Sequence, residues 1–182
     1  MPEAPSGAVT TVDIATWYEI DAAGCVMAVC PEWDAVARQG GGAAGALQAG
    51  VIGRPLHQFI SGDATRMYMD AALQAVRLLG QPRRLRYRCD TPTVRRSLEM
   101  TLVPLGGGGV RIQHGLIEQQ PRLRPLVCLP DERPAGEGAG GVWRCSLCLR
   151  LQPAGQPWQA PEQVASPRLV VRYTVCPRCR QG

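Results

Sequence analysis

Residues 63–116, DATRMYMDAALQAVRLLGQPRRLRYRCDTPTVRRSLEMTLVPLGGGGVRIQHGL, decide the fold class. Ala64, Tyr68, Ala72, Ala75, Val76 and Leu79 recur every three or four residues, which predicts an amphipathic helix. Asp63 is placed to cap its start, and Gly80 with Pro82 to stop it. The period then changes to two. Leu85, Tyr87 and Cys89 alternate with Arg86 and Arg88, and Leu98, Met100 and Leu102 with Glu99 and Thr101. Val110, Ile112, His114 and Leu116 alternate with Arg111 and Gln113. Each run predicts a half-buried antiparallel strand, with the glycines at 106–109 turning between the last two.

Upstream, Trp17–Ile20 and Val26–Cys30 are β-prone runs around Asp21-Ala-Ala-Gly24, which predicts another hairpin. A short helix is expected from Pro31 toward Arg38, a loop or weak helix at 40–50, and a helical turn around His57, Phe59 and Ile60. Two strands, short helices, one long helix and three strands predict an α+β fold. Helices would cover one face of a five-stranded antiparallel sheet.

That order of elements resembles the Per-Arnt-Sim (PAS) sensor fold over roughly residues 13–120. Val51-Ile-Gly-Arg-Pro-Leu56 resembles the family's phrase before its long helix, and Ala23-Gly24-Cys25-Val26 through Pro31-Glu-Trp33 resembles its opening hairpin and exit. The resemblance implies a sensing or interaction module with a pocket between sheet and helices.

At 182 residues the chain accommodates one such domain and a small second module. The expected divisions are a flexible N-terminus (1–12), the PAS-like domain (13–127), a linker (128–142) containing LPDERPAGEGAGG, and a C-terminal module (143–182). All 20 basic residues are arginine, which excludes a P-loop, a lysine Schiff base and a kinase ATP-binding lysine. No Gly-x-Ser-x-Gly elbow or paired pocket carboxylates emerge, so the protein is expected not to be an enzyme. The apolar runs are too short to cross a bilayer, and MPEAPSGAVTTVD lacks the marks of a secretory leader. A cytoplasmic protein without a membrane partner is expected.

Of eight cysteines, Cys25, Cys30, Cys89 and Cys128 are isolated and read as small core hydrophobes. The others form Cys145-Ser-Leu-Cys148 and Cys176-Pro-Arg-Cys179, with 27 residues between the pairs. Four thiolates on two tight turns suit one tetrahedral Zn²⁺ with no position left open, hence a structural metal, one per chain. Leu149–Leu151 and Arg168–Val175 look like strands between them, so the module is zinc-ribbon-like. An iron–sulfur cluster would use the same four ligands. The tail also resembles a short four-cysteine module found behind some bacterial PAS and receiver-type signalling proteins. The matching residues are Cys145, Cys148, Arg150, Trp158, Glu162, Cys176, Pro177 and Cys179; Tyr173-Thr-Val175 replaces that module's His-Gly-Ile. The resemblance implies a bacterial signalling protein.

Residues 143–182 carry six arginines against Glu162 alone, equal to the chain's whole net charge of +5. An acidic partner is therefore expected, either a protein or nucleic acid. Arg86, Arg88, Arg172 and Arg178 are the candidate anion contacts. The two histidines, His57 and His114, are candidates for the pocket or for haem iron, although a hydrogen-bonded core role suits His114 better and haem is not expected. The leading expectation is a regulatory module acting through a protein partner or a homodimer. A nucleic-acid-binding regulator and a haem or redox sensor are the alternatives.

Overall fold

The computed structural model describes residues 14–39, 44–131 and 141–181. The expected N-terminal segment 1–12 and the start of the glycine-rich stretch lie outside them. Strands β1 (Ile14–Ile20), β2 (Val26–Val29), β3 (Arg83–Arg88), β4 (Val94–Pro104) and β5 (Val110–Pro121) form an antiparallel sheet in the order β2-β1-β5-β4-β3. Helices α1 (Trp33–Gln39), α2 (Gln48–Val51) and α3 (Asp63–Leu79) fill the chain between β2 and β3. They cover one face. The buried core there includes Ile20, Leu85, Met100, Leu102, Val110 and Ile112 from the sheet, and Met69, Ala72, Leu73 and Val76 from α3.

The α3 stripe is rotated from the one expected. Ala64 is exposed and Leu79 is 71 % exposed, whereas Met69 and Leu73 are buried. The alanines gave a periodic signal without much area to bury, and larger side chains set the rotation. Gly62, not Asp63, occupies the N-cap; Asp63 is the first helical residue and pairs with Arg66. Gly80 closes the helix at φ 62°, in the left-handed conformation that glycine adopts without a Cβ penalty.

The C-terminal region is a second sheet. It contains β6 (Val127–Pro130), β7 (Val142–Cys145), β8 (Leu151–Gln152) and β9 (Arg168–Thr174), ordered β6-β9-β7-β8, followed by α4 (Pro177–Gln181). β9 runs parallel to both neighbours. The segment expected as a linker from 128 to 142 thus begins as a strand of this sheet and ends at the start of β7, while 132–140 lies outside the described residues. Its first residues, Cys128, Leu129 and Pro130, register with Leu169, Val170 and Val171.

The two sheets meet at the start of α3 and the end of β3. The Arg88 N–H donates to the Leu147 carbonyl at 2.7 Å, and Thr65 Oγ1 and Ser146 Oγ lie 2.7 Å apart. Gly62 is pressed against β9 at φ 84°; a Cβ there would stand 2.7 Å from the Tyr173 carbonyl oxygen. Both its torsion and the close approach require glycine.

Candidate metal centre and adjoining cavity

Cys145 ends β7, and a turn returns the chain: the Leu149 N–H donates to the Cys145 carbonyl at 3.0 Å. Leu149 sits at φ 58°, a left-handed conformation costing about 1–2 kcal/mol for a residue with a Cβ. Its side chain is buried, which helps to hold the turn. The second turn opens α4, where the Cys179 and Arg180 N–H groups donate to the Cys176 carbonyl. Arg180 Nε also donates to the Val175 carbonyl at 2.9 Å.

The turns bring all four sulfurs within 4.8 Å of one another. Cys148 and Cys176 Sγ are 3.7 Å apart. Four sulfurs at about 2.3 Å from a tetrahedral Zn²⁺ would be spaced by about 3.8 Å, so the donor set and its spacing fit a metal ion. The backbone also prepares the sulfurs for negative charge, with the Cys176 N–H directed at Cys145 Sγ at 3.4 Å. A hydrogen bond from Cys148 draws the Cys145 thiol down to about 4, joined by the backbone N–H groups of Cys176, Cys148 and Leu147 against the opposing cost of burial. The hydrogen bond to Cys145, then burial, pushes Cys148 up; burial first, then the charge of Cys145, pushes Cys179 up to about 12. Without metal the cluster favours a thiolate at Cys145, with the protons held at Cys148 and Cys179. A divalent cation would take the place of the protons.

Around the sulfurs, Cys145, Leu147, Val175 and Cys176 form a small buried cluster, against which Trp158, Tyr68 of α3 and Tyr87 of β3 pack. Tyr87 reaches onward: its hydroxyl lies 2.9 Å from His114 Nδ1. The His114 ring stacks on Tyr18, with centroids 5.7 Å apart. Burial lowers the His114 pKa to about 4, so the imidazole is neutral at pH 7. Tyr18 in turn lines an apolar cavity of about 230 Å³ with Val26, Trp33, Val51, Leu56 and Phe59. His114 stands outside that lining, and His57 is exposed in the turn before α3.

The candidate arginines divide. Arg86 and Arg178 are exposed. Arg88 and Arg172 turn inward: Arg88 bridges Asp90 and Glu162, and Arg172 Nε donates to Asp131 at 3.0 Å. Both therefore hold acidic partners within the chain. Arg144 lies over the Tyr173 ring, so the basic tail is partly neutralised or covered by its own region. Among the lone cysteines Cys30 is buried as expected, but Cys89 lies just beyond β3 and is exposed.

Several important residues carried no local signature in the sequence. Asp90, with a side chain only 2 % exposed, accepts from Arg88 and Arg122, and Thr65 and Ser146 join the sheets. Tyr87 could have been singled out, because it sits on the apolar parity of its strand. No family model, curated protein or solved structure matches the chain. Among the described residues, no helix is long and apolar enough to cross a membrane.

Proposed function

We propose that the protein is a non-enzymatic, PAS-like sensing or interaction module whose C-terminal region is held by one structural zinc ion. Its output passes to a protein partner in a signalling pathway or through a second copy. The strand order β2-β1-β5-β4-β3, with all three helices inserted before β3, supports the PAS-like reading. The four-thiol cluster leaves no ligand position for substrate once a metal is bound, which supports a structural ion.

The observation that carries the functional reading is a continuous run of packed groups. Tyr18 lines the cavity, His114 stacks on Tyr18, Tyr87 bonds to His114, and Tyr87 packs on the cysteine cluster. A ligand or partner that repositions Tyr18 has a direct route to the surface presented by the C-terminal sheet. The mechanism is a shift between conformations that differ in how this sheet is seated.

Native mass spectrometry of the purified chain tests the first half. One zinc per chain is expected, and an organic mass in addition would make the cavity a ligand site. No metal, with all four thiols reduced, overturns the zinc assignment. Hydrogen exchange of Tyr87→Phe tests the second half. Faster exchange at 142–152 and 168–176 together with the walls of the cavity is expected; a change confined to β3 removes the proposed route.

A further inference from the structure

A second concavity lies between the sheets, away from the cavity lined by Tyr18. It is a groove of about 630 Å³ bounded by the ends of β4 and β5, the segment 121–126, and the loop 161–167. Arg95, Arg122 and Arg124 line it, and Leu126, Val164 and Pro167 give it apolar walls. Arg122 and Arg88 share the buried Asp90 carboxylate, and Arg88 also holds Glu162. Of the charged residues that line the groove, three are arginines and one, Glu162, is acidic. Positive charge is left over.

The donors show where it is unmet. The Nε–H groups of Arg95 and Arg122 are buried and have no acceptor among the described residues. The Arg122 side chain is only 5 % exposed and is tied to Asp90 through Nη1, so it is fixed in place. A buried N–H without an acceptor is unfavourable, and folded proteins rarely leave one so. Both side chains line the groove, and an occupant whose seating turns either guanidinium would give these closed donors the acceptor that the described residues do not supply. We infer that this groove binds a small amphipathic oxyanion, a carboxylate or phosphate ester, with its charged oxygens toward Arg95 and Arg122 and its apolar body along Leu126 and Val164. A guanidinium presents donors in a plane that matches such oxygens. Because the walls come from the first sheet and from the segment leading into β9, an occupant would also fasten one to the other.

The test uses the full-length, metal-loaded chain. Phenyl phosphate and hexanoate are titrated against inorganic phosphate, and against sodium chloride at matched ionic strength. At ten times its Kd, an organic anion is expected to raise the melting temperature by about 3–5 °C. Inorganic phosphate, lacking the apolar body, is expected to bind more weakly, and chloride to give no rise. Arg124 is exposed, so Arg124→Ala should fold normally and weaken binding several-fold; Arg95→Gln should weaken it further. The ¹⁵N-detected Nε–H resonances of Arg95 and Arg122 should shift during the titration, a readout independent of stability. Unmoved Nε–H signals, or a melting shift undiminished in both variants, would overturn the inference. Inorganic phosphate binding as tightly as phenyl phosphate would overturn the role given to the apolar walls.

Discussion

The two sheets are stabilised by different means. The five-stranded sheet and its helices share a core cluster of fourteen buried residues, none of them a cysteine. Among the described residues the C-terminal region buries seven hydrophobic ones, Cys145, Leu147, Leu149, Leu151, Val171, Val175 and Cys176, and two of these are themselves members of the four-thiol cluster. Apolar burial contributes about 25 cal/mol per Å², so the first region has roughly twice as many buried side chains to fold on, and the second, about forty residues long, has less side-chain area to rely on. On the proposed reading, a metal at the four thiols would supply order where area is lacking.

The largest expected effect follows from removing that support. A zinc finger peptide gains on the order of 10 kcal/mol from its ion, so chelation should release the C-terminal region. Amide protection is expected to be lost across 142–152 and 168–181 and retained across β1, β4 and β5. Cys176→Ser should do the same without chelator. Equal loss in both regions would mean that the first sheet depends on the second, and the contrast would fall.

The opposite lesion sharpens it. Leu102 is fully buried at the centre of the first core. Leu102→Ala should cost about 2–5 kcal/mol by lost transfer energy and the cavity left behind. Urea unfolding would show the loss, while zinc content of the folded protein stays at one per chain. Metal loss under native conditions would show that the two supports are not separable.

How much of this contrast is legible in the sequence depends on the range of the interactions. Leu85, Met100, Leu102 and Ile112 announce their strands because alternation is a local pattern that survives without knowledge of the partner. The cysteine pairs are legible for the same reason: a turn of four residues fixes two ligands. Strand β6 is not, because Val127–Pro130 has no alternation and gains its order only from β9, some forty residues away in sequence. The bridge from Arg88 to Glu162 spans 74 residues and leaves no periodic trace. By strand parity alone Arg88 reads as a surface cation. The expected α3 stripe keeps Ala72 and Val76 but misses Met69 and Leu73, because alanine marks a helix well but a buried face poorly.

His114 offers a milder way to probe the first region. Its ring is enclosed by Tyr18 and Tyr87, and burial lowers its pKa from 6.5 to about 4. Below pH 6.5 the unfolded chain takes up a proton that the folded chain refuses until about pH 4. Stability is thus lost as pH falls through that window, by about 3 kcal/mol at most. His114→Phe should flatten this part of the pH profile. Because acid also protonates the thiols and weakens metal binding, the informative quantity is the difference between the two proteins in zinc-saturated buffer. An unchanged difference from pH 7 to pH 4 would mean that His114 takes up its proton in the fold as readily as in the unfolded chain.

The smallest effect is expected where the regions touch. Thr65 and Ser146 share one hydrogen bond between α3 and the first cysteine turn. Thr65→Val and Ser146→Ala should each cost about 0.5–1.5 kcal/mol, and the double variant less than their sum, because the second change removes a partner already left alone. A coupling near zero would place the seating of the second sheet on other contacts, chiefly the packing of Tyr68 and Tyr87 on the cluster and the close approach at Gly62. A measurable coupling that vanishes when zinc is removed would say something stronger. The bond would then exist only while the metal holds the turn in place, and the junction would be a consequence of metal binding and not a second, independent support.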